Sequence, residues 1–124
     1  MEKLTKKEEE IMELFWKEGP LFIREMVALY EEPKPHFNTL STMTRLLESK
    51  GFVGHKSYGP TYQYYPLISK QEFRSETLKN LVDKYFDRSC LEMVSALVEE
   101  EDISLDELKQ LIVRVEEANK SKEK

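Results

Sequence analysis

The stretch Asn38-Thr39-Leu40-Ser41-Thr42-Met43-Thr44-Arg45-Leu46-Leu47-Glu48-Ser49-Lys50-Gly51, with the run from Phe52 to Pro66 that follows it, decides the fold. At about 100° per residue, Leu40, Met43 and Leu47 share one stripe of a helix, and Gly51 supplies its stop. The opposite stripe carries Asn38, Ser41, Thr42, Arg45 and Ser49, with Glu48 off to its side. A solvated helix face in an acidic chain usually carries Glu or Asp. This one carries short hydrogen-bonding groups and one Arg, a surface that can approach a polyanion and offer donors and acceptors to base edges. Taken alone, the helix fits a plain Ser/Thr-rich surface equally well.

The residues after Gly51 shift that balance. Phe52-Val53-Gly54-His55-Lys56 reads as an extended strand, Ser57-Tyr58-Gly59-Pro60 is turn chemistry, and Thr61-Tyr62-Gln63-Tyr64-Tyr65 is the return strand, ended by Pro66. Helix, Gly, strand, turn, strand is the second half of a winged helix-turn-helix. In that arrangement the helix enters a major groove and the hairpin tip touches the DNA backbone. The reading assigns Asn38, Thr39, Ser41, Thr42 and Arg45 to base edges. Lys34, Lys50, Lys56, Ser57 and Tyr58 fall to phosphates.

Charge is distributed in keeping with this. The 124 residues carry a net −5, but segment 33–70 is +4, with Lys34, Arg45, Lys50, Lys56 and Lys70 against Glu48 alone. Segments 1–32 and 71–124 are −4 and −5. Flanking acid keeps non-specific affinity for nucleic acid low and leaves binding dependent on a fitted site.

Upstream, Thr5-Lys6-Lys7-Glu8 has capping-box spacing and opens a helix carrying Ile11, Met12, Leu14, Phe15 and Trp16 up to Gly19-Pro20. A second helix is predicted over 21–30 from Phe22, Ile23, Met26, Val27 and Tyr30. Pro33 and Pro35 break it, and the N-cap of the next helix is His36 or Asn38. Downstream, Ser69-Lys70-Gln71-Glu72 and Ser104-Leu105-Asp106-Glu107 are further capping boxes. Between them, 90–98 is a short apolar helix that ends at Glu99-Glu100-Glu101-Asp102. These three helices carry more apolar residues than so short a region can bury by itself. The expected architecture is therefore mainly α with a small β-hairpin: a winged helix-turn-helix DNA-binding domain over 1–66, a three-helix dimerisation region over 67–118, and a disordered tail over 119–124. Phe73, Leu81, Tyr85, Phe86, Val94, Leu97, Leu108, Leu111 and Ile112 are assigned to a joint between two copies. One chain folding these helices back on its own wing is the alternative.

Other classes find little support. No apolar run spans a bilayer, the opening residues lack a signal-peptide core, and the single Cys90 fits a reducing compartment, so a cytoplasmic protein is expected. His36 and His55 have no partners at ligand spacing, so neither metal nor cofactor is expected. HExxH, CxxC, a Gly-rich phosphate loop and Gly-x-Ser-x-Gly are all missing, which argues against an enzyme. Cys90 lies in an apolar stripe and reads as a buried structural thiol, with thiol or ligand sensing as the alternative. A winged helix serving only protein interaction is the other competitor, and it would carry exposed apolar residues on the Asn38 face.

The chain resembles the penicillinase-repressor (BlaI/MecI-type) family of winged-helix transcriptional repressors over nearly its whole length. The matching pieces are Leu4-Thr5, Glu8, Ile11-Met12 and Phe15-Trp16; Thr39 to Met43, Arg45, Leu47-Glu48 and Lys50-Gly51; and Phe52-Val53, His55-Lys56, Tyr62 and Tyr64 to Pro66. Beyond the hairpin come Phe73, Tyr85-Phe86-Asp87, Leu97, Ile103-Ser104, Asp106 to Leu108 and Leu111. The resemblance implies a homodimer on a dyad operator that represses β-lactam-resistance genes, with a membrane sensor protease as a signalling partner. Two positions depart from it. Ala96-Leu97 stands where the β-lactam branch has its cleaved Asn-Phe bond, and the paired C-terminal cysteines of a copper-responsive branch are missing.

Overall fold

The computed structural model describes residues 2–100 and 103–122. In chain order the elements are α1 (Lys6–Glu18), β1 (Leu21–Phe22), α2 (Ile23–Leu29), α3 (Phe37–Ser49), β2 (Val53–Tyr58), β3 (Thr61–Pro66), α4 (Lys70–Tyr85), α5 (Cys90–Glu100) and α6 (Leu105–Lys122). The chain divides into two compact units between Thr77 and Leu78, within α4. The first is a winged helix-turn-helix; the second is helical.

Local chemistry sets the helix starts. Thr5 Oγ1 accepts from the Glu8 N–H and the Glu8 carboxylate accepts from the Thr5 N–H, closing the first capping box. Ser69 with Glu72 and Ser104 with Glu107 repeat the exchange ahead of α4 and α6. For α3 the N-cap is His36, whose Nδ1 accepts from the Asn38 N–H at 3.1 Å, so the helix begins at Phe37. Gly51 follows its end at φ 86°, a left-handed conformation that costs a residue with a Cβ.

The second helix is shorter than its periodicity predicts. Leu21 and Phe22 are extended and pair with Tyr64 and Gln63, so the helix starts only at Ile23. Gly19-Pro20 delivers the chain to the sheet edge, where Leu21 buries its side chain opposite Tyr64. A two-residue strand leaves no period for the sequence to display. The sheet runs β1-β3-β2, all antiparallel.

The core of the first unit joins Ile11, Met12 and Phe15 of α1, Ile23 and Met26 of α2, Leu40 and Leu47 of α3, and Phe52, Val53 and Tyr64 of the hairpin. Thr44 is fully buried among them, its hydroxyl donating to the Leu40 carbonyl at 2.7 Å. The start of α4 belongs to this unit too. Trp16 Nε1 donates to the Ile68 carbonyl at 2.9 Å, and the Phe73 ring lies 5.5 Å from Trp16 and 6.1 Å from Phe52. Phe73, expected at a joint between copies, is thus partnered within one chain.

In the second unit, Val82 is buried, and Asp87 and Arg88 turn the chain at φ 52° and 65°. The Arg88 N–H bonds the Val82 carbonyl, and Ser89 Oγ accepts from the Glu92 N–H to start α5. Helix α5 runs through Glu100, within the expected stop Glu99-Glu100-Glu101-Asp102; residues 101 and 102 lie outside those described. Similarly, α6 remains helical through the expected tail to Lys122, and 123–124 lie outside the described residues. Cys90 is exposed at the first position of α5, which corrects the expectation of a buried thiol: it lies on the apolar stripe, but at the helix start, where nothing in the chain covers it enough to bury it.

Candidate nucleic-acid interface

With Leu40, Thr44 and Leu47 turned into the core, α3 exposes the stripe Asn38, Thr42, Arg45 and Ser49, spaced by four, three and four residues. Thr39 is also exposed, while Ser41 is half-buried at the edge. This stripe carries no carboxylate and no large apolar group. Leu46 (51% exposed) and Phe37 (49%) lie on its flanks.

The hairpin register sorts its side chains onto two faces. His55 opposes Tyr64 and Ser57 opposes Tyr62, so these four share the face turned toward α3. Lys56 opposes Gln63 and Tyr58 opposes Thr61 on the other face, with Phe22 of β1. There the Lys56 ammonium lies 5.4 Å above the Tyr58 ring, and Phe22 meets Tyr58 edge-on at 5.6 Å. Gly54 on that face is covered by Tyr65, whose ring atoms lie 3.0 Å from where a Cβ would stand. Thr61 Oγ1 donates to the Tyr58 carbonyl and closes the turn. Ser57 and Lys56, grouped in the sequence, thus address opposite sides of the wing.

Electrostatics separates the expected phosphate contacts. Lys56 and Arg45 are exposed and, among the described residues, in no salt bridge. Lys50 is engaged: its ammonium donates to both Glu8 oxygens, at 2.9 and 3.0 Å, and to the Lys3 carbonyl. Burial pushes the Glu8 carboxyl up, but the Thr5 N–H, Lys50 and the Thr5 hydroxyl outweigh it, so Glu8 titrates below the ordinary carboxylate range. Lys34 donates to the carbonyls of Ala28 and Tyr30, satisfying acceptors left open at the end of α2. Near α3, burial first and then Glu48 raise the Tyr64 hydroxyl above its usual range, against the opposing pull of Arg45.

Known proteins fit this geometry. The sequence profile of the family described as penicillinase repressor matches residues 4–117. The chain belongs to that family. Similar members include the methicillin resistance regulatory protein MecI of Staphylococcus aureus strain N315, 28% identical over 87% of this chain and 89% of its own length. The MecI of strain Mu50 is 33% identical over 59% of each chain. The penicillinase repressor of Bacillus licheniformis is 23% identical over 92% of this chain and 91% of its own. The matched span takes in both units, so this member of the penicillinase repressor family carries the α3 stripe and the helical second unit together. No helix among its described residues is long and apolar enough to cross a membrane.

Sequence reasoning missed part of the surface. A concave cleft of about 510 Å³ opens between the start of α2, the first turn of α3 and β3, lined by Phe22, Arg24, Phe37, Ser41, Thr61 and Tyr62 among others. Arg24 is an exposed cation there. The strand alternation that buries Tyr64 would have turned Tyr62 to the same side; Arg24 gave no local signal.

Of the residues assigned to a joint between copies, Tyr85 (67% exposed), Ile112 (56%), Leu111 (46%), Leu97 (43%) and Leu81 (38%) are exposed within a single chain. Phe86, Val94 and Leu108 are half-buried.

Proposed function

We propose that this chain is a sequence-specific DNA-binding transcriptional repressor that works as a homodimer on an inverted-repeat operator. The observation that carries the reading is the exposed stripe Asn38-Thr42-Arg45-Ser49 on α3. It has donors, acceptors and one cation, is free of carboxylates, and stands beside a hairpin bearing Lys56, which makes no salt bridge among the described residues. Bidentate donation from Arg45 suits guanine, and the short Asn and Thr side chains let the helix backbone come near the bases. Asn38, Thr39, Ser41, Thr42 and Arg45 read bases; Lys56, Ser57 and Tyr58 meet phosphates. Lys34 joins them if it leaves the α2 carbonyls, and Lys50 supports α3 through Glu8.

The second unit supports dimerisation. It buries Val82 and leaves Leu78, Leu81, Tyr85, Leu91, Leu97, Leu105, Leu111, Ile112, Val113 and Val115 at least one-third exposed, an apolar surplus that a second copy would cover. A single recognition helix gives a contact area marginal for a specific site, and two helices on a two-fold axis double it. The relatives' names, a methicillin resistance regulatory protein and a penicillinase repressor, support β-lactam-resistance genes as the regulated ones. Ala96-Leu97 stands where the resemblance puts the family's cleaved Asn-Phe bond, which counts against a switch by that cleavage. The reading is tested by selecting sequences from random duplex DNA with the full chain. An inverted repeat with half-sites about one helical turn apart, or a multiple of it, is expected. Recovery of no preferred sequence would overturn the reading.

A further inference from the structure

Arg45 and Glu48 sit three residues apart on α3, a spacing at which an arginine and a carboxylate pair along one helix. They do not pair. Glu48 accepts instead from Nδ1 of His55 on β2, and among the described residues Arg45 makes no salt bridge. The imidazole is itself fixed. It stacks on Tyr62 with centroids 4.4 Å apart and planes at 28°, and lies tilted against Tyr64 at 5.7 Å. Tyr62 and Tyr64 meet edge to face at 6.4 Å and brace it from β3. Glu48, Arg45, His55 and Tyr64 thus form one cluster where the recognition helix meets the wing.

We infer that His55 is a positioning residue that holds the Glu48 carboxylate away from Arg45 and so leaves the guanidinium available to a base edge. The inference rests on α3 being the groove helix, and adds a specificity determinant that need not touch DNA. The physical argument is competition. Glu48 is the only carboxylate on α3, and Arg45 is the cation within reach of it along the helix. Without His55, the carboxylate would turn to Arg45 and draw it off the exposed stripe. Its charge would also face the operator phosphates with no imidazole beside it. Side-chain exposures of 34% and 31% for His55 and Glu48 put the pair at the surface, so substitution there tests recognition without emptying the core.

The test has two arms. In the DNA-free full chain, the side-chain Nε–H of Arg45 is followed by NMR in the parent, His55→Ala, His55→Gln and His55→Ala/Glu48→Gln. Rotation about the guanidinium is expected to slow only in His55→Ala, where Glu48 has no other partner; Gln keeps a donor for it. An Arg45 signal unchanged in His55→Ala overturns the proposal whatever DNA does. The same proteins are then titrated with an operator selected on the parent. His55→Ala should bind roughly fivefold more weakly, and the double variant should return to within about twofold of the parent. A double variant as weak as His55→Ala also overturns it, because His55 would then act on DNA or on the fold directly. A parent that selects no operator sinks the groove-helix reading, while the first arm still decides whether His55 keeps Glu48 off Arg45.

Discussion

The Lys50 ammonium lies 2.9 and 3.0 Å from the two carboxylate oxygens of Glu8, tying the C-terminal end of α3 to the first turn of α1. Glu8 also closes the capping box of α1, so one carboxylate serves two helices. It is 3% exposed. Removing its cation therefore strands a nearly buried charge, which costs more than losing a surface pair. Lys50→Met should lower stability by about 1–3 kcal/mol in urea unfolding. An unchanged midpoint would show that the pair carries no stability.

The same pair has a pH signature. The folded-state pKa of Glu8 is depressed, so its contribution is fully present above the unfolded value and is lost as pH falls through the folded one. Glu8→Gln should therefore be less stable than the parent at neutral pH, with the gap narrowing below about pH 4.5. Denaturant midpoints at several pH values check this. A gap that widens toward acid would reverse the sign and refute the assignment.

The proposed function has Arg45 meet a base edge. Arg45→Ala should lose on the order of 1–3 kcal/mol at a selected operator, with the loss concentrated at one base pair of each half-site. Competition binding against single-base operator variants measures it. A folded variant that binds as tightly as the parent removes Arg45 from recognition.

Lys56 lies on the wing face away from α3, above Tyr58, and the proposed function has it meet a phosphate. Lys56→Ala should weaken binding to every sequence by a similar factor and reduce the salt slope by about one unit per site. A sequence-selective loss would mean that the wing enters a groove.

Leu111 is 46% exposed on α6 in a single chain. If a second copy covers it, Leu111→Glu buries an unpaired charge and splits the joint. Sedimentation at micromolar concentration should show the parent as a dimer and the variant as a monomer with weakened operator binding, its winged unit still folded. A parent that sediments as a monomer yet binds the full inverted repeat tightly would exclude this architecture.

Short-range chemistry was legible in the sequence because its causes lie within a helical turn or one strand alternation. The Thr5/Glu8, Ser69/Glu72 and Ser104/Glu107 boxes, the Gly51 stop, the hairpin and the polar stripe of α3 all depend on residues three or four apart, or on a two-residue period. What the sequence could not determine is which partner a side chain finds across the fold. Lys34 and Lys50 read as free phosphate contacts, yet Lys34 closes the end of α2 and Lys50 meets Glu8, 42 positions earlier in the chain. Phe73 read as surplus apolar area until Trp16 and Phe52 were beside it. Phe22 has helical spacing to Met26, but the extended state of Leu21 and Phe22 is fixed by their pairing with β3. Periodicity tells which face of an element is turned inward. Only the assembled fold sets which charges remain free on the outside, because pairing depends on distances between elements that no local pattern encodes.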